Sequence, residues 1–258
     1  MITEPTTKSI SVVIIAKNEA DNMERVLKSV IWADEILVAD SGSTDATARI
    51  AEDLGAHVLH LDWEGFGRTK HKAVMAAKYD WILSIDADEE VSEELKNKIM
   101  ELKPALKEQN AYKIKRISWY LNRKIRWCGW QNDFPLRLFN RRTAGFNDKV
   151  VHESVKTKAK ISLITEPIYH YTYPTLSDHL RKINFYTTLN VEEKYRKGRK
   201  YTLTGAILQG MWKFIAMYFL KQGFQDGKTG FLLCRNSAIG QYLKYLKLWE
   251  KRQHDRTP

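Results

Sequence analysis

The sequence is poor in cysteine, and it lacks the cysteine patterns that hold small folds together. Cys128 and Cys234 are its only two cysteines, and they share no Cys-x-x-Cys spacing. This argues against a disulfide framework and a zinc cluster, and it fits a reducing compartment. Residues 1–9 are polar and lack the basic region and apolar core of a signal peptide. We therefore expect a cytoplasmic protein whose 258 residues bury a core without covalent crosslinks.

Acidic residues are scarce in the rear of the chain. Residues 103–258 contain 31 Lys and Arg but only 11 Asp and Glu, a net charge of +20, whereas residues 1–102 contain 11 and 20, a net charge of −9. The acidic front is a poor nucleic-acid surface and suits metal-assisted handling of a diphosphate. The basic rear suits an anionic membrane or a phosphorylated acceptor, although a single basic run such as residues 194–200 is more simply a solvated surface.

The front of the chain alternates apolar strands with amphipathic helices. Strands are predicted at Ile10–Ala16, Glu35–Ala39, His57–Leu61 and Trp81–Ile85, and helices at Asn18–Trp32, Thr44–Leu54, Arg68–Lys78 and Ser92–Leu102. This alternation predicts an α/β fold with a mostly parallel sheet, helices on both faces, and ligands at the carboxyl ends of the strands.

The pattern changes after residue 102. Tyr112–Tyr120 and Leu136–Asn140 are predicted as strands, and the chain is mainly helical from Leu176 onward. We therefore expect a sheet domain at residues 1–172 and a basic helical extension at residues 173–258.

Two carboxylates follow the fourth predicted strand in the sequence ILSIDAD. Asp86 and Asp88 are two positions apart, so an extended backbone places both on one face. Their hard oxygens suit Mg²⁺ or Mn²⁺, which keeps positions open for substrate phosphates. Alone, Asp-x-Asp is a weak motif, because two such residues often just cap a following helix.

Further polar side chains follow the first and second strands. Asp40 opens the sequence DSGSTD, where its carboxylate suits a nucleobase or ribose and Gly42 permits a tight turn. The same loop also has the composition of a helix cap, since it contains Ser, Thr and Asp. Asn18 and Glu19 are expected on the same rim, where Asn18 equally suits a cap.

The segments SVVIIAKNEADN, ILVADSGSTDAT and WILSIDADE resemble family-two glycosyltransferases of the GT-A fold, a Rossmann-like architecture. The segments NDFPLRLF, KVVHE and GFQDGKTGF are similar to the subgroup of bacterial lipopolysaccharide-core β-glucosyltransferases, so the resemblance covers nearly the whole chain. It implies that Asp40 holds the uracil of a UDP-sugar, Asp86 the ribose or sugar, and Asp88 the metal. Lys70 is expected to neutralise phosphate, although many relatives carry Arg-Asn where this chain has Lys70-His71.

The acceptor half of the predicted site comes from later segments. The resemblance suggests His152 as a further metal ligand and Glu153 as the general base, although a lone His-Glu pair is often structural. Asp133 is the rival base. Arg137 is either a phosphate contact or part of an ion pair. The implied reaction is the inverting transfer of a hexose, with glucose suggested, from a UDP-sugar to a saccharide or lipid-linked acceptor in lipopolysaccharide or envelope glycan synthesis.

The most apolar stretch is LTGAILQGMWKFIAMYFL, residues 203–220, with Lys213 in its middle. It falls short of about 20 uninterrupted apolar residues, so we do not expect a spanning helix. The lipid-linked acceptors of the resembled subgroup imply instead an interfacial helix on the cytoplasmic face of the inner membrane. The alternative is a helix packed on the domain or on another subunit.

Two other functions fit parts of the sequence. A sugar nucleotidyltransferase would have a Gly-rich, basic phosphate loop after the first strand, where this chain has AKNE. A nucleic-acid-binding module would explain the pI near 9.4 and the Trp residues between 119 and 130. The basic charge is spread over many segments without a recognised binding motif, so we expect no nucleic-acid partner.

Overall fold

The structure, a computed structural model, describes residues 8–147, 154–198 and 202–254. The chain divides into two compact units. The first comprises Met1–Arg116 and Asp133–His170, and the second comprises Ile117–Asn132 and Tyr171–Pro258.

Strands and helices alternate in the front of the chain, as the hydrophobic pattern predicts. The strands are β1 (Ile10–Ala16), β2 (Glu35–Asp40), β3 (His57–His60), β4 (Trp81–Asp86), β5 (Glu89–Val91), β6 (Asn110–Tyr120), β7 (Arg123–Lys124), β8 (Leu136–Asn140), β9 (Ala144–Phe146), β10 (Val155–Thr157) and β11 (Lys160–Tyr173). The α-helices are α1 (Ala20–Lys28), α2 (Thr47–Asp53), α3 (Phe66–Ala76), α4 (Glu93–Leu102), α5 (Leu176–Arg196), α6 (Leu203–Ile215) and α7 (Gly227–His254).

The main sheet has the strand order β3-β2-β1-β4-β8-β6-β11-β5, and β9 pairs with β10 separately. β1 is parallel to both β2 and β4, and β2 is parallel to β3. β8 is antiparallel to β4 and to β6, and β5 is antiparallel to β11. The predicted α/β architecture is confirmed, and the sheet is mixed because β8 joins the parallel strands antiparallel.

Apolar side chains on both faces of the sheet form the core of the first unit. One cluster packs Met23 and Leu27 of α1 with residues such as Ile14 and Ile85, which are fully buried. A second cluster packs Ala73 and neighbouring residues of α3 on the other face. Burial on both faces explains why β1 and β4 read as continuous apolar runs in the sequence.

In the second unit, α6 packs closely on α7. Gly210 permits this approach, since a Cβ there would lie 3.0 Å from the Cβ of Tyr242 and 3.2 Å from the carbonyl oxygen of Ala238. A separate buried cluster contains Cys128 and Cys234, whose Sγ atoms are 3.6 Å apart. The sequence separates these thiols by 106 positions, so their proximity is a product of the fold.

A buried polar group also lies in the second unit. The Tyr120 hydroxyl lies 3.0 Å from His179 Nδ1 and accepts a hydrogen bond from the Asn236 amide at 3.1 Å. The ring of Tyr173 stacks on that of His179. Burial lowers the pKa of His179 to about 4, so the imidazole is neutral at physiological pH.

Candidate active site

Three parallel strands bring the predicted donor residues to one edge of the sheet. β1 lies between β2 and β4, with Ala16 opposite Asp40 and Ile15 opposite Asp86. The two carboxylates therefore end on either side of β1. The chain runs from β1 to β2 and β3 on one side of β1 and then crosses back to β4 on the other side, and such switch points form the ligand crevice of open α/β sheets.

Hydrogen bonds join the loops that follow β1 and β2. Asn18 has a left-handed backbone, with φ of 54°, and its N–H donates to Ser43 Oγ at 2.9 Å. Its side-chain oxygen accepts the N–H of Thr44 at 2.8 Å, and the N–H of Glu19 donates to Thr47 Oγ1 at 2.8 Å. Both loops are thus fixed relative to each other at the carboxyl edge of β1 and β2.

Asp40 is 3% exposed and holds the turn after β2. Its carboxylate accepts the N–H of Ser43 at 3.1 Å and also the Ser43 hydroxyl, and His60 Nδ1 lies 3.4 Å away. Gly42, in the same turn, has φ of 87°, a conformation that strains residues with a side chain. Asp40 therefore caps this loop, and its contact with a nucleobase stays a prediction.

Asp86 lies between two cations. Lys70 Nζ is 2.7 Å from one carboxylate oxygen, and Arg137 Nη2 is 2.6 Å from the other. Burial alone would raise the pKa of Asp86, but the charges of Arg137 and Lys70 outweigh it and hold that pKa well below its usual value. Asp86 is therefore ionised at physiological pH. The two cations are themselves almost completely buried, and the phosphate role predicted for Lys70 stays a prediction.

A second carboxylate, Glu89, extends this ion-pair network. Its side chain is completely buried and contacts Arg137, and Arg116 Nη1 lies 3.2 Å from it. Glu89 also accepts the backbone N–H of Asp86 at 2.9 Å, which fixes the end of β4. For Arg137 the structure shows the ion pair that the sequence left as one of two alternatives.

Asp133 lies at the far end of the same network. Its carboxylate accepts a hydrogen bond from Arg116 Nε at 2.7 Å, and its carbonyl oxygen accepts the Arg116 N–H at 2.8 Å. Asp133 is half-buried. Arg116 thus links the predicted base to Glu89, and through Arg137 to Asp86.

Asp88 lies beside a histidine that sequence reasoning missed. β5 pairs with β11 so that His170 is opposite Glu89, which brings His170 Nε2 to 3.5 Å from the Asp88 carboxylate. Both side chains are mostly buried. A carboxylate is a suitable ligand for Mn²⁺ or Mg²⁺, whereas an imidazole suits a transition metal, so the pair fits Mn²⁺ better than Mg²⁺. Mg²⁺ is commonly bound by only one or two protein carboxylates plus substrate phosphates.

No cluster of three or more His, Cys, Asp or Glu side chains suited to a metal occurs in residues 8–147, 154–198 and 202–254. His152 and Glu153, the predicted third ligand and general base, lie outside the described residues. Asp88 and His170 therefore fit a divalent ion as a pair whose remaining positions go to other groups.

No sequence motif marks Glu89, Arg116 or His170 as part of a site. Glu89 directly follows the Asp-x-Asp pair and has the sequence context of an ordinary surface residue in an acidic segment. Its partners Arg116 and Arg137 are 27 and 48 residues away, so only the sheet topology brings them together. His170 lies in a long strand that the hydrophobic pattern did not predict.

Comparison with known proteins finds glycosyltransferases that match different parts of the chain. Residues 11–149 match the family model described as Glycosyl transferase family 2. A protein of Rickettsia bellii described as an uncharacterized glycosyltransferase is 34% identical over 96% of this chain and 89% of its own length. The lipopolysaccharide core biosynthesis glycosyltransferase LpsC of Rhizobium meliloti is 24% identical over 94% of this chain and 92% of its own.

A solved structure of glucosyl-3-phosphoglycerate synthase from Mycobacterium tuberculosis, in complex with Mn²⁺ and UDP, is also similar. It is 28% identical over 43% of this chain and 44% of its own, with a TM-score of 0.36.

Proposed function

The chain belongs to glycosyl transferase family 2, and on that premise we propose that it transfers a hexose from a UDP-sugar to a saccharide acceptor with inversion at the anomeric carbon. The observation that carries the proposal is the position of Asp40 and Asp86 on either side of the carboxyl end of β1. Here a charge-compensated carboxylate network, with Glu89 fully buried, lies at the carboxyl edge of the parallel strands in a GT-A α/β fold with a C-terminal helical extension.

The donor would lie along the rim formed by the ends of β1, β2 and β4. Asp40 is assigned to the uracil and Asp86 to the ribose or sugar. Each carboxylate oxygen has two lone pairs, so Asp86 can accept hydroxyl hydrogen bonds while Lys70 and Arg137 keep it charged and in place. Asn18 and Glu19 would complete the rim around the nucleotide.

A divalent ion, Mn²⁺ or Mg²⁺, would be held by Asp88 and His170, with His152 as the further ligand that the sequence suggests. Bound there, it would supply Lewis-acid stabilisation to the departing diphosphate. The chain's own contribution is to fix the direction of Asp88, because Glu89 anchors the backbone N–H at Asp86 two residues earlier.

The acceptor hydroxyl needs a general base, and two carboxylates are assigned as candidates. Glu153 is the first candidate, from its resemblance to the family motif. Asp133 is the second, and its bond to Arg116 restricts its direction. Either base would take the proton while the hydroxyl oxygen attacks the anomeric carbon from the face opposite the nucleotide, a single displacement without a covalent intermediate.

For the acceptor and the cellular location, we propose a saccharide of lipopolysaccharide or another envelope glycan, glycosylated on the cytoplasmic side of the inner membrane. Similarity to the lipopolysaccharide core glycosyltransferase over nearly the whole chain supports this class of acceptor. The basic rear of the chain supports a phosphorylated or membrane-borne one. Glucose is the sugar that the subgroup resemblance suggests.

The test is thermal stabilisation by nucleotides with Mn²⁺. A ligand at about 100 times its Kd adds about 2.7 kcal/mol, which raises the Tm of a unit of this size by roughly 5–10 °C. We expect this shift with UDP and not with other nucleoside diphosphates. The Asp88→Asn variant should lose the Mn²⁺-dependent part of the Tm shift. The Asp62→Asn variant, which changes an exposed acid outside the network, should keep it. No shift with any nucleotide would contradict the proposal.

Hydrolysis of a panel of nucleotide sugars would then identify the sugar. Glu153→Gln and Asp133→Asn separate the two candidate bases, because the base variant should retain the UDP-dependent Tm shift but lose transfer. If both variants transfer normally, neither carboxylate is the base.

A further inference from the structure

The helix α6 and the short π-helix that follows it, Ala216–Leu220, expose an apolar face to solvent. Every fourth residue of this segment is an exposed apolar side chain: Leu203, Ile207, Met211, Ile215 and Phe219. Trp212 and Leu220 beside them are 59% and 65% exposed. Only 17% of the 18-residue segment Leu203–Leu220 is buried, and its length and mean hydropathy of 1.2 would by themselves allow a membrane span. Such a contiguous exposed apolar patch marks a surface with a partner.

An open groove of about 530 Å³ runs beside this face, between α6 and α7. Its walls are apolar, with Ile207, Met211 and Ile215 from α6 and Ile239 and Tyr242 from α7. Arg235, an exposed residue of α7, also lines it. A groove with apolar walls and one guanidinium has the chemistry to accept a hydrocarbon chain that ends in a phosphate group.

The charge of the residues around this apolar face indicates which kind of partner it binds. Residues 202–249 contain six Lys and Arg but a single acid, Asp226. The carboxylate of Asp226 already accepts the backbone N–H groups of Arg126 and Trp127, at 3.1 and 2.8 Å. A second copy docked through this same face would therefore bring two basic segments together, with the single acid of each segment already bonded within its own chain. An anionic lipid surface complements both the apolar stripe and the basic residues.

Packing within the second unit sets the direction of the helix. Gly210 holds α6 against α7, and α7 carries Lys228, Arg235 and Lys244. If α6 crossed the bilayer, these cations would be drawn toward hydrocarbon, which is costly. A helix that lies flat, with its exposed face sunk to headgroup depth, leaves them in water or among lipid phosphates. Trp212 and Phe219 suit that depth.

We propose that α6 docks side-on onto an anionic phospholipid bilayer, with an acyl chain of one lipid in the α6–α7 groove and its phosphate at Arg235. The proposal concerns the second unit alone and does not rest on the proposed transferase reaction.

The test is flotation of the full chain with vesicles of neutral phosphatidylcholine or of a 7:3 mixture with phosphatidylglycerol. We expect binding to the anionic vesicles only. A double variant, Met211→Ser with Ile215→Ser, should bind at least tenfold more weakly, since two apolar side chains no longer enter the bilayer. The matched control is Ile161→Ser with Leu163→Ser, two residues of similar exposure in the first unit, which should bind as the wild type does.

Charge is tested separately. Arg235→Gln should weaken binding about fivefold and reduce its salt dependence, whereas Lys158→Gln, an exposed cation of the first unit, should not. In bilayers with bromine on the upper acyl carbons, part of the tryptophan fluorescence should be quenched, and Trp212→Phe should remove that part. This readout leaves the packing of α6 on α7 unchanged, so it remains decisive if the double serine variant unfolds.

Three results would overturn the proposal. They are equal binding to neutral and anionic vesicles, unchanged binding of the double variant, and a lipid-free dimer in sedimentation equilibrium that the double variant dissociates. The last would show that this face joins two copies of the chain. The UDP-dependent Tm shift of each variant is measured in parallel, so that loss of membrane binding is distinguished from loss of donor binding.

Discussion

Glu89 offers a direct test of the ion-pair network, because the Glu89→Gln variant keeps the shape of the side chain and removes its charge. The carboxylate is completely buried, and it contacts Arg116, Arg137 and the N–H of Asp86. Removing one member of a buried ion pair costs about 3–5 kcal/mol, since the remaining charges stay desolvated. The amide keeps one acceptor oxygen, so we expect a loss of about 3 kcal/mol in the free energy of unfolding.

That loss corresponds to a Tm lower by roughly 6–12 °C for a unit of about 150 residues. Differential scanning calorimetry of the full chain measures it as the transition of the first unit. The matched control is Glu93→Gln on α4, whose carboxylate is 77% exposed and pairs with Lys96 at 3.0 Å. Exposed pairs contribute about 0–1 kcal/mol, so this control should melt within about 4 °C of the wild type. If Glu89→Gln behaves like the control, the network does not stabilise the fold, and the argument that Glu89 anchors Asp86 is wrong.

Three further predictions concern other parts of the chain. Because burial lowers the pKa of His179 to about 4, the unfolded chain takes up a proton below about pH 6.5 that the folded chain does not. The free energy of unfolding should therefore fall by at most about 3 kcal/mol between pH 6.5 and pH 4. Urea titrations of His179→Gln should show a smaller fall over this pH range. The thiols of Cys128 and Cys234 are buried, so a thiol reagent should label neither in the native protein and both in denaturant; rapid native labelling would contradict their burial. Gly42→Ala should lower the free energy of unfolding by about 1–2 kcal/mol, because residue 42 has a left-handed backbone, even though a Cβ there meets no atom within 4 Å. The variant should also weaken UDP binding. Unchanged UDP binding would show that this turn is not part of the donor site.

The front of the fold was predictable because its strands are buried on both faces. The run at Ile10–Ala16 was predicted to the residue. Ser92, the first residue of the predicted helix Ser92–Leu102, caps α4, and its Oγ accepts the N–H of Leu95 at 3.1 Å. The start of α1 was predicted two residues early because Asn18 adopts a left-handed backbone. Local sequence does not show that Asn18 is used to join two loops.

The rear strands were harder to predict. β11 spans 14 residues but contains Pro167, and its apolar and polar residues do not alternate regularly. β5 is only three residues long. Missing this pair also meant missing His170, since the β5–β11 register alone brings it to Asp88. Residue types that suit a donor site were recognisable from the sequence, whereas the partners that fix their charge and direction depend on contacts far along the chain.

The pairing of β5 with β11 has a consequence for how the chain is made. Glu89 emerges from the ribosome roughly 80 residues before His170, the residue with which it pairs across the two strands. At synthesis rates of about 5–20 residues per second, the nascent chain carries that carboxylate and an unpaired strand edge for some 4–16 seconds. The cations Lys70, Arg116 and Arg137 that pair with Asp86 and Glu89 all precede β11 in the chain, so the ion-pair network can form before β11 is made. A chain arrested before β11 therefore has the donor strands and this network but lacks the contact between His170 and Asp88.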